Sequence, residues 1–119
     1  MTITLGSGCR PAVPLGASAV PDERDRAAVA PVLAALGAPP AQPTVAQAPC
    51  PGGGAIRTVA ARSRAAAPAS LAAALRPLTI GASVIVDQPA FYACQRGSTT
   101  RSVRGDGDTV SVVSTTSCP

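Results

Sequence analysis

The chain has 119 residues, which is enough for one domain and too few for two independent ones. Ten Arg and six acidic residues give a net charge of +4, and the sequence contains no His, Lys, Asn or Trp. These missing residue types exclude Ser-His and Cys-His nucleophile pairs, imidazole metal ligands, Schiff bases and the P-loop lysine. Composition therefore predicts a protein that is not an enzyme and uses no cofactor or metal.

The first residues contain an apolar start, then Gly6-Ser7-Gly8, then Cys9. This order resembles the end of a bacterial lipoprotein signal, in which a Leu and two small residues precede the Cys that carries the lipid. Here Leu5 lies one residue earlier than in that pattern. The resemblance implies a lipid on Cys9 and membrane association through that lipid alone. Pro and Gly are frequent over residues 1–21, which predicts an irregular arm before a single domain of residues 22–119.

A first helix is predicted to begin at Asp22, because Asp is a good N-cap and acids suit the first turn. Apolar residues then recur at helical spacing up to Leu36, and Gly37 ends the helix. Pro31 predicts a kink or a break near Ala30. Two strands follow, at Thr44–Ala48 and Ala55–Ser63, with a Pro- and Gly-rich turn between them.

The second half begins with a predicted helix from Pro68 to Arg76, because Pro suits the first helical position and Pro77 ends the helix. Four more candidate strands come next, separated by Gly-containing turns: Ser83–Val86, Phe91–Arg96, Thr99–Arg104 and Thr109–Ser114. We expect an α+β fold, in which an antiparallel sheet of four to five strands carries two helices on one face.

The two halves share a weak pattern after Cys50 and after Cys94. In both halves a Gly lies three residues after the Cys, an Arg seven residues after it and a Val nine residues after it. One interpretation is an αββ–αββ duplication, which gives a circularly permuted ferredoxin-like arrangement. The alternative is coincidence in a sequence rich in Ala and Gly.

The four cysteines predict cross-links in a thin core. Val, Leu, Ile, Met and Phe together make up 25 of the 119 residues, so little apolar area is available for burial. The spacing of Cys9, Cys50, Cys94 and Cys118 fits no metal site and predicts two disulfides in an oxidising compartment. We expect Cys94–Cys118, which closes the shortest loop, and therefore Cys9–Cys50. The alternative is four buried thiols in a cytosolic protein.

Arginines on the predicted strands form a candidate face for an anionic ligand. Tyr92 is expected beside them as an exposed aromatic residue, with its neighbour Phe91 in the core, since adjacent strand residues point to opposite faces. Two aromatic residues are too few for a nucleic-acid platform, so the expected partner is a protein or an anionic envelope component. The alternative is a solvated outer face. The residues of the candidate face are Arg57, Arg62, Arg96, Arg101 and Tyr92.

These features favour a small secreted or cell-surface accessory domain without catalytic activity. Arg without Lys, together with abundant Ala, Gly and Pro, is typical of GC-rich DNA, so we expect a high-GC bacterium. A second hypothesis is a secreted protease inhibitor that presents a loop at Ala48-Pro49-Cys50-Pro51. A third is a cysteine-dependent enzyme, whose thiolate only Arg could stabilise.

Overall fold

The computed structural model describes residues 17–118, so Cys9 and the segment that resembles a lipoprotein signal lie outside the described residues. Two helices and seven strands are formed in this part of the chain. They are β1 (Ala17–Ala19), α1 (Glu23–Ala35), β2 (Thr44–Pro49), β3 (Ala55–Arg64), α2 (Leu71–Leu75) with a 3₁₀ turn at Arg76–Leu78, β4 (Ser83–Gln88), β5 (Phe91–Arg96), β6 (Thr99–Asp106) and β7 (Thr109–Thr116).

The described strands form one antiparallel sheet in the order β1-β2-β3-β7-β6-β5-β4. The α+β class and the antiparallel sheet are confirmed, but the sheet is larger than the four to five strands expected. One added strand is β1, which lies in the segment predicted to be an irregular arm. Its sequence, Ala-Ser-Ala, has no large apolar residue and therefore no recognisable strand pattern.

Helix α1 begins where the sequence predicts. The side chain of Asp22 accepts a hydrogen bond from the backbone N–H of Asp25 at 3.0 Å, and Asp25 accepts one from the N–H of Asp22 at 2.9 Å. Of the kink or break expected at Pro31, the break is wrong, because the helix continues through this residue as one element. Buried apolar residues on both sides of Pro31 hold the two halves of the helix against the sheet: Val29, Val32 and Leu33.

Helix α2 is shorter than predicted. It begins at Leu71 rather than Pro68, because the hydroxyl of Ser70 caps it by accepting from the N–H of Ala73 at 3.1 Å. After Leu75 the chain tightens into the 3₁₀ turn that contains Pro77. After α1 the chain forms two strands, but after α2 it forms four, so two αββ copies do not describe the fold.

Both helices pack on one face of the sheet, which we call the helix-side face. Helix α1 contacts β3 and β7, while α2 contacts β4 and β5. The core lies between these layers and is made mainly of Val and Leu, including Leu33, Leu71, Val103, Val110 and Val112. The opposite face carries no helix in the described part of the chain, and we call it the open face.

Candidate functional site

Two neighbouring rows of side chains cross one end of the helix-side face. The strand register places Gln47, Arg57, Thr116, Thr99 and Arg96 directly opposite one another across β2, β3, β7, β6 and β5. The next row contains Val59, Ser114, Arg101 and Cys94. Three of the arginines predicted to bind a ligand are therefore brought to the same end of the same face.

Arg57 is occupied by an ion pair with α1. Its Nε donates to Oδ1 of Asp25 at 2.8 Å, its Nη2 reaches Oδ2, and its Nη1 donates to the side chain of Gln47. Asp25 is 2% exposed. The hydrogen bonds from Arg57 hold the pKa of Asp25 well below its usual value despite the opposing effect of burial. Arg57 thus connects α1 to the sheet through a carboxylate that already occupies its guanidinium, and its predicted place in a ligand-binding face stays a prediction.

Arg101 has the opposite environment. It is half-buried between Ser114 and Cys94, and no acidic side chain lies within ion-pair distance of it in residues 17–118. Its Nε is buried and has no hydrogen-bond partner among the described residues. Buried polar groups are nearly always paired, so this nitrogen marks a place where the fold leaves a donor unused.

A pocket of about 230 Å³ opens beside Arg101. One wall is polar and contains Arg96, whose Nη2 donates to the carbonyl of Ile80, and Thr99. Its apolar lining comes from Leu78 and Ala82, which we call the apolar wall, and Cys94 also lines the pocket. The pocket therefore places a guanidinium pair next to a small apolar surface.

The remaining predicted residues of the face do not join this pocket. Arg62 lies on the open face, because it is five residues from Arg57 along one strand and strand neighbours alternate. Tyr92 is 4% exposed and belongs to the core, while Phe91 lies half-buried on the open face with Arg104 5.1 Å from its ring centroid. The expected positions of the two aromatic residues are thus reversed.

The disulfide joins Cys50 to Cys118, with a Cα–Cα distance of 5.8 Å. Neither predicted pairing, Cys94–Cys118 or Cys9–Cys50, forms. The shortest loop is not the deciding factor, because β7 lies beside β3 and the β2–β3 turn brings Cys50 to the end of β7. Cys94 is a buried free thiol in the described structure.

The turn after Cys50 bears on the inhibitor hypothesis. It is closed by hydrogen bonds from the N–H of Cys50 to Gly54 and from the N–H of Gly53 to Cys50, and residues 52–54 all have positive φ. Such a turn needs glycine and follows the residues named for the inhibitor loop, of which Ala48 and Pro49 belong to β2. No observation on this loop favours the inhibitor hypothesis.

Between residues 17 and 118, no group of three or more His, Cys, Asp and Glu side chains is arranged to hold a metal. No helix in the same span has both the length and the apolar character needed to cross a membrane. Comparison with protein-family models, curated proteins and solved structures finds no match to this chain.

Proposed function

We propose that this protein is a small secreted or surface-anchored domain that binds an anionic component of the bacterial cell envelope without chemical turnover. The observation that carries the proposal is the pair formed by Arg96 and Arg101, which line one pocket and have no carboxylate partner among the described residues. Arginine presents several fixed N–H donors that suit carboxylate and phosphate groups.

The disulfide supports an extracytoplasmic location. Disulfides persist in oxidising compartments and are rare in cytosolic proteins, so Cys50–Cys118 fits export of the chain. In this proposal the lipoprotein-like segment ending at Cys9 attaches the domain to the membrane surface. Cys9 then carries the lipid, and the Cys50–Cys118 disulfide cross-links the domain.

The chemistry of the pocket supports binding rather than catalysis. Its walls contain two guanidinium groups, one hydroxyl and one thiol, and they contain no carboxylate. Arginine stays protonated and cannot accept a proton, and the one remaining candidate base, the Cys94 thiol, is buried. A positively charged pocket of this kind holds an anion in place without changing it.

The test compares two variants that remove the same charge from opposite faces. Arg96→Gln with Arg101→Gln changes the pocket, while Arg62→Gln with Arg64→Gln removes two exposed arginines from the open face. Each protein is sedimented with purified envelope material from a high-GC bacterium at low salt. We expect the pocket variant to lose most of its binding and the control variant to bind like the parent.

Equal losses in both variants would contradict a specific pocket and indicate general charge attraction. Failure of the parent protein to bind at all would overturn the proposed function. The compartment is tested separately by expressing the protein from its natural gene and following export. Retention of the mature chain in the cytoplasm would contradict the proposed location.

A further inference from the structure

Arg101 lines the pocket, and its buried Nε has no hydrogen-bond partner among the described residues. A buried nitrogen without a partner costs free energy that the folded protein alone does not recover. The guanidinium of Arg101 lines the pocket and has no acidic partner among the described residues, so a negatively charged oxygen that enters the pocket would neutralise it. The ligand group that fits this position is therefore an oxyanion.

The polar wall adds two more contacts for such a group. Arg96 and Thr99 lie directly opposite each other on β5 and β6, in the row beside Arg101. Arg96 is exposed and Arg101 is half-buried, so the positive charge extends from the pocket mouth inward. An oxyanion at this wall meets a second guanidinium and a hydroxyl in addition to Arg101.

The apolar wall indicates what is attached to the oxyanion. Leu78 and Ala82 line the same pocket as Arg96 and Arg101. A smaller cavity of about 10 Å³ shares Leu78, Cys94 and Arg101 with the pocket and is also lined by Val32 and Tyr92 of the core. A bare phosphate or sulfate would leave this wall uncovered, whereas a short hydrocarbon would cover it and be removed from water.

We infer that the pocket binds an oxyanion that carries a short aliphatic chain, with the charged head on Arg101, Arg96 and Thr99 and the chain against Leu78 and Ala82. This inference rests on the proposed function and specifies the ligand class of the same site. The head is a carboxylate or a phosphate monoester, which share the acceptor chemistry that arginine recognises.

The test uses two matched series of small anions, from acetate to hexanoate and from methyl phosphate to hexyl phosphate. Binding is measured by calorimetry and by chemical shifts of Arg101 and Leu78. We expect the affinity to rise by about fourfold for each buried methylene until the apolar wall is covered. The series that binds more tightly identifies the head group. Affinity that is independent of chain length in both series would overturn the inference.

Substitutions of the pocket arginines test whether the anions bind in the pocket. Arg101→Met keeps the apolar stem and removes the charge, and we expect it to weaken binding of the best anion by roughly tenfold or more. Arg96→Gln changes an exposed residue that tolerates substitution, and we expect a smaller loss. Arg62→Gln on the open face is the control and should bind like the parent. Unchanged binding by both pocket variants would contradict the assignment.

The two proposals fail in different ways. If neither series of small anions binds but envelope material still binds through Arg96 and Arg101, the inference about the aliphatic chain is wrong and the proposed function stands. If envelope binding is also absent, both are wrong.

Discussion

Arg57 and Arg101 invite comparison because they lie in neighbouring rows of the same face and have opposite surroundings. Arg57 donates hydrogen bonds from two of its nitrogens to the two carboxylate oxygens of Asp25. Arg101 has a buried Nε without a partner and borders a pocket. The role of an arginine on a sheet therefore depends on its partner. An acid from a neighbouring element gives the guanidinium a structural role, whereas an arginine without an acid keeps its charge available to a ligand.

The two helices account for this difference. Helix α1 starts with a capping box in which the third residue is Asp25, so its first turn places a carboxylate over Arg57. Helix α2 is capped by Ser70 and has Ala73 at the corresponding position, with no acid in its first turn. The helix nearer to the pocket thus supplies no countercharge for Arg101.

The largest expected effect comes from the disulfide, which holds the end of β7 between the two arginine sites. Replacing Cys50 and Cys118 together with Ser should lower the free energy of unfolding by about 4 kcal/mol, because the bond closes a loop of 68 residues. Urea unfolding measures this change. A loss below about 1 kcal/mol would show that the sheet fixes β7 without the bond.

Breaking the Arg57 site should have the next largest effect. Asp25→Ala removes the buried carboxylate and one half of the capping box, and we expect a loss of about 3 kcal/mol. Arg57→Met should cost a similar amount, since it leaves the Asp25 carboxylate buried without its cation. The double variant should lose much less than the sum of the two in a double-mutant cycle. Additive losses would contradict a direct ion pair.

Acid should weaken the same site. The pKa of Asp25 is lowered by folding, so its stabilising contribution is complete above the unfolded value of about 3.9 and is lost as pH falls below it. The melting temperature should therefore fall between pH 5 and pH 2, and Asp25→Asn should show a shallower fall. Parallel curves for the two proteins would contradict the lowered pKa.

The smallest stability effect is expected at Arg101, and it has the opposite sign. Arg101→Met removes a partly buried charge that has no acidic partner in the described structure, so we expect unfolding free energy to stay constant or rise by about 1 kcal/mol. Thermal melts without ligand measure this change. A loss of 2 kcal/mol or more would indicate that Arg101, like Arg57, has a structural role.

Local patterns predicted the elements better than their arrangement. The strand at Phe91–Arg96 has the predicted bounds, and α1, β6 and β7 lie close to theirs. These elements were predictable because capping residues and Gly-containing turns act over short distances. The disulfide was mispredicted because Cys50 and Cys118 meet only through the β3–β7 pairing, which joins strands far apart in sequence.

The candidate site could be predicted only in part. Their positions on predicted strands made Arg96 and Arg101 candidates, but the sequence could not reveal that Asp25 pairs with Arg57, since these two residues lie 32 positions apart. Alternation along β3 could have placed Arg62 and Arg57 on opposite faces of the sheet, because they are five positions apart and an odd step changes the face. The pocket itself depends on how the 3₁₀ turn lies over β5 and β6.

The position of β7 in the middle of the sheet affects the order in which the chain can fold. A chain that emerges from a ribosome or a translocation channel N-terminus first can pair β2 with β3, and later β4 with β5 and β6, as separate hairpins. Strand β7 then joins both groups, because it pairs with β3 on one side and β6 on the other. Until residues 109–116 are free, β3 and β6 expose unpaired edges that can associate with other chains. Early release of β7, or protection by a chaperone until that release, therefore limits such association.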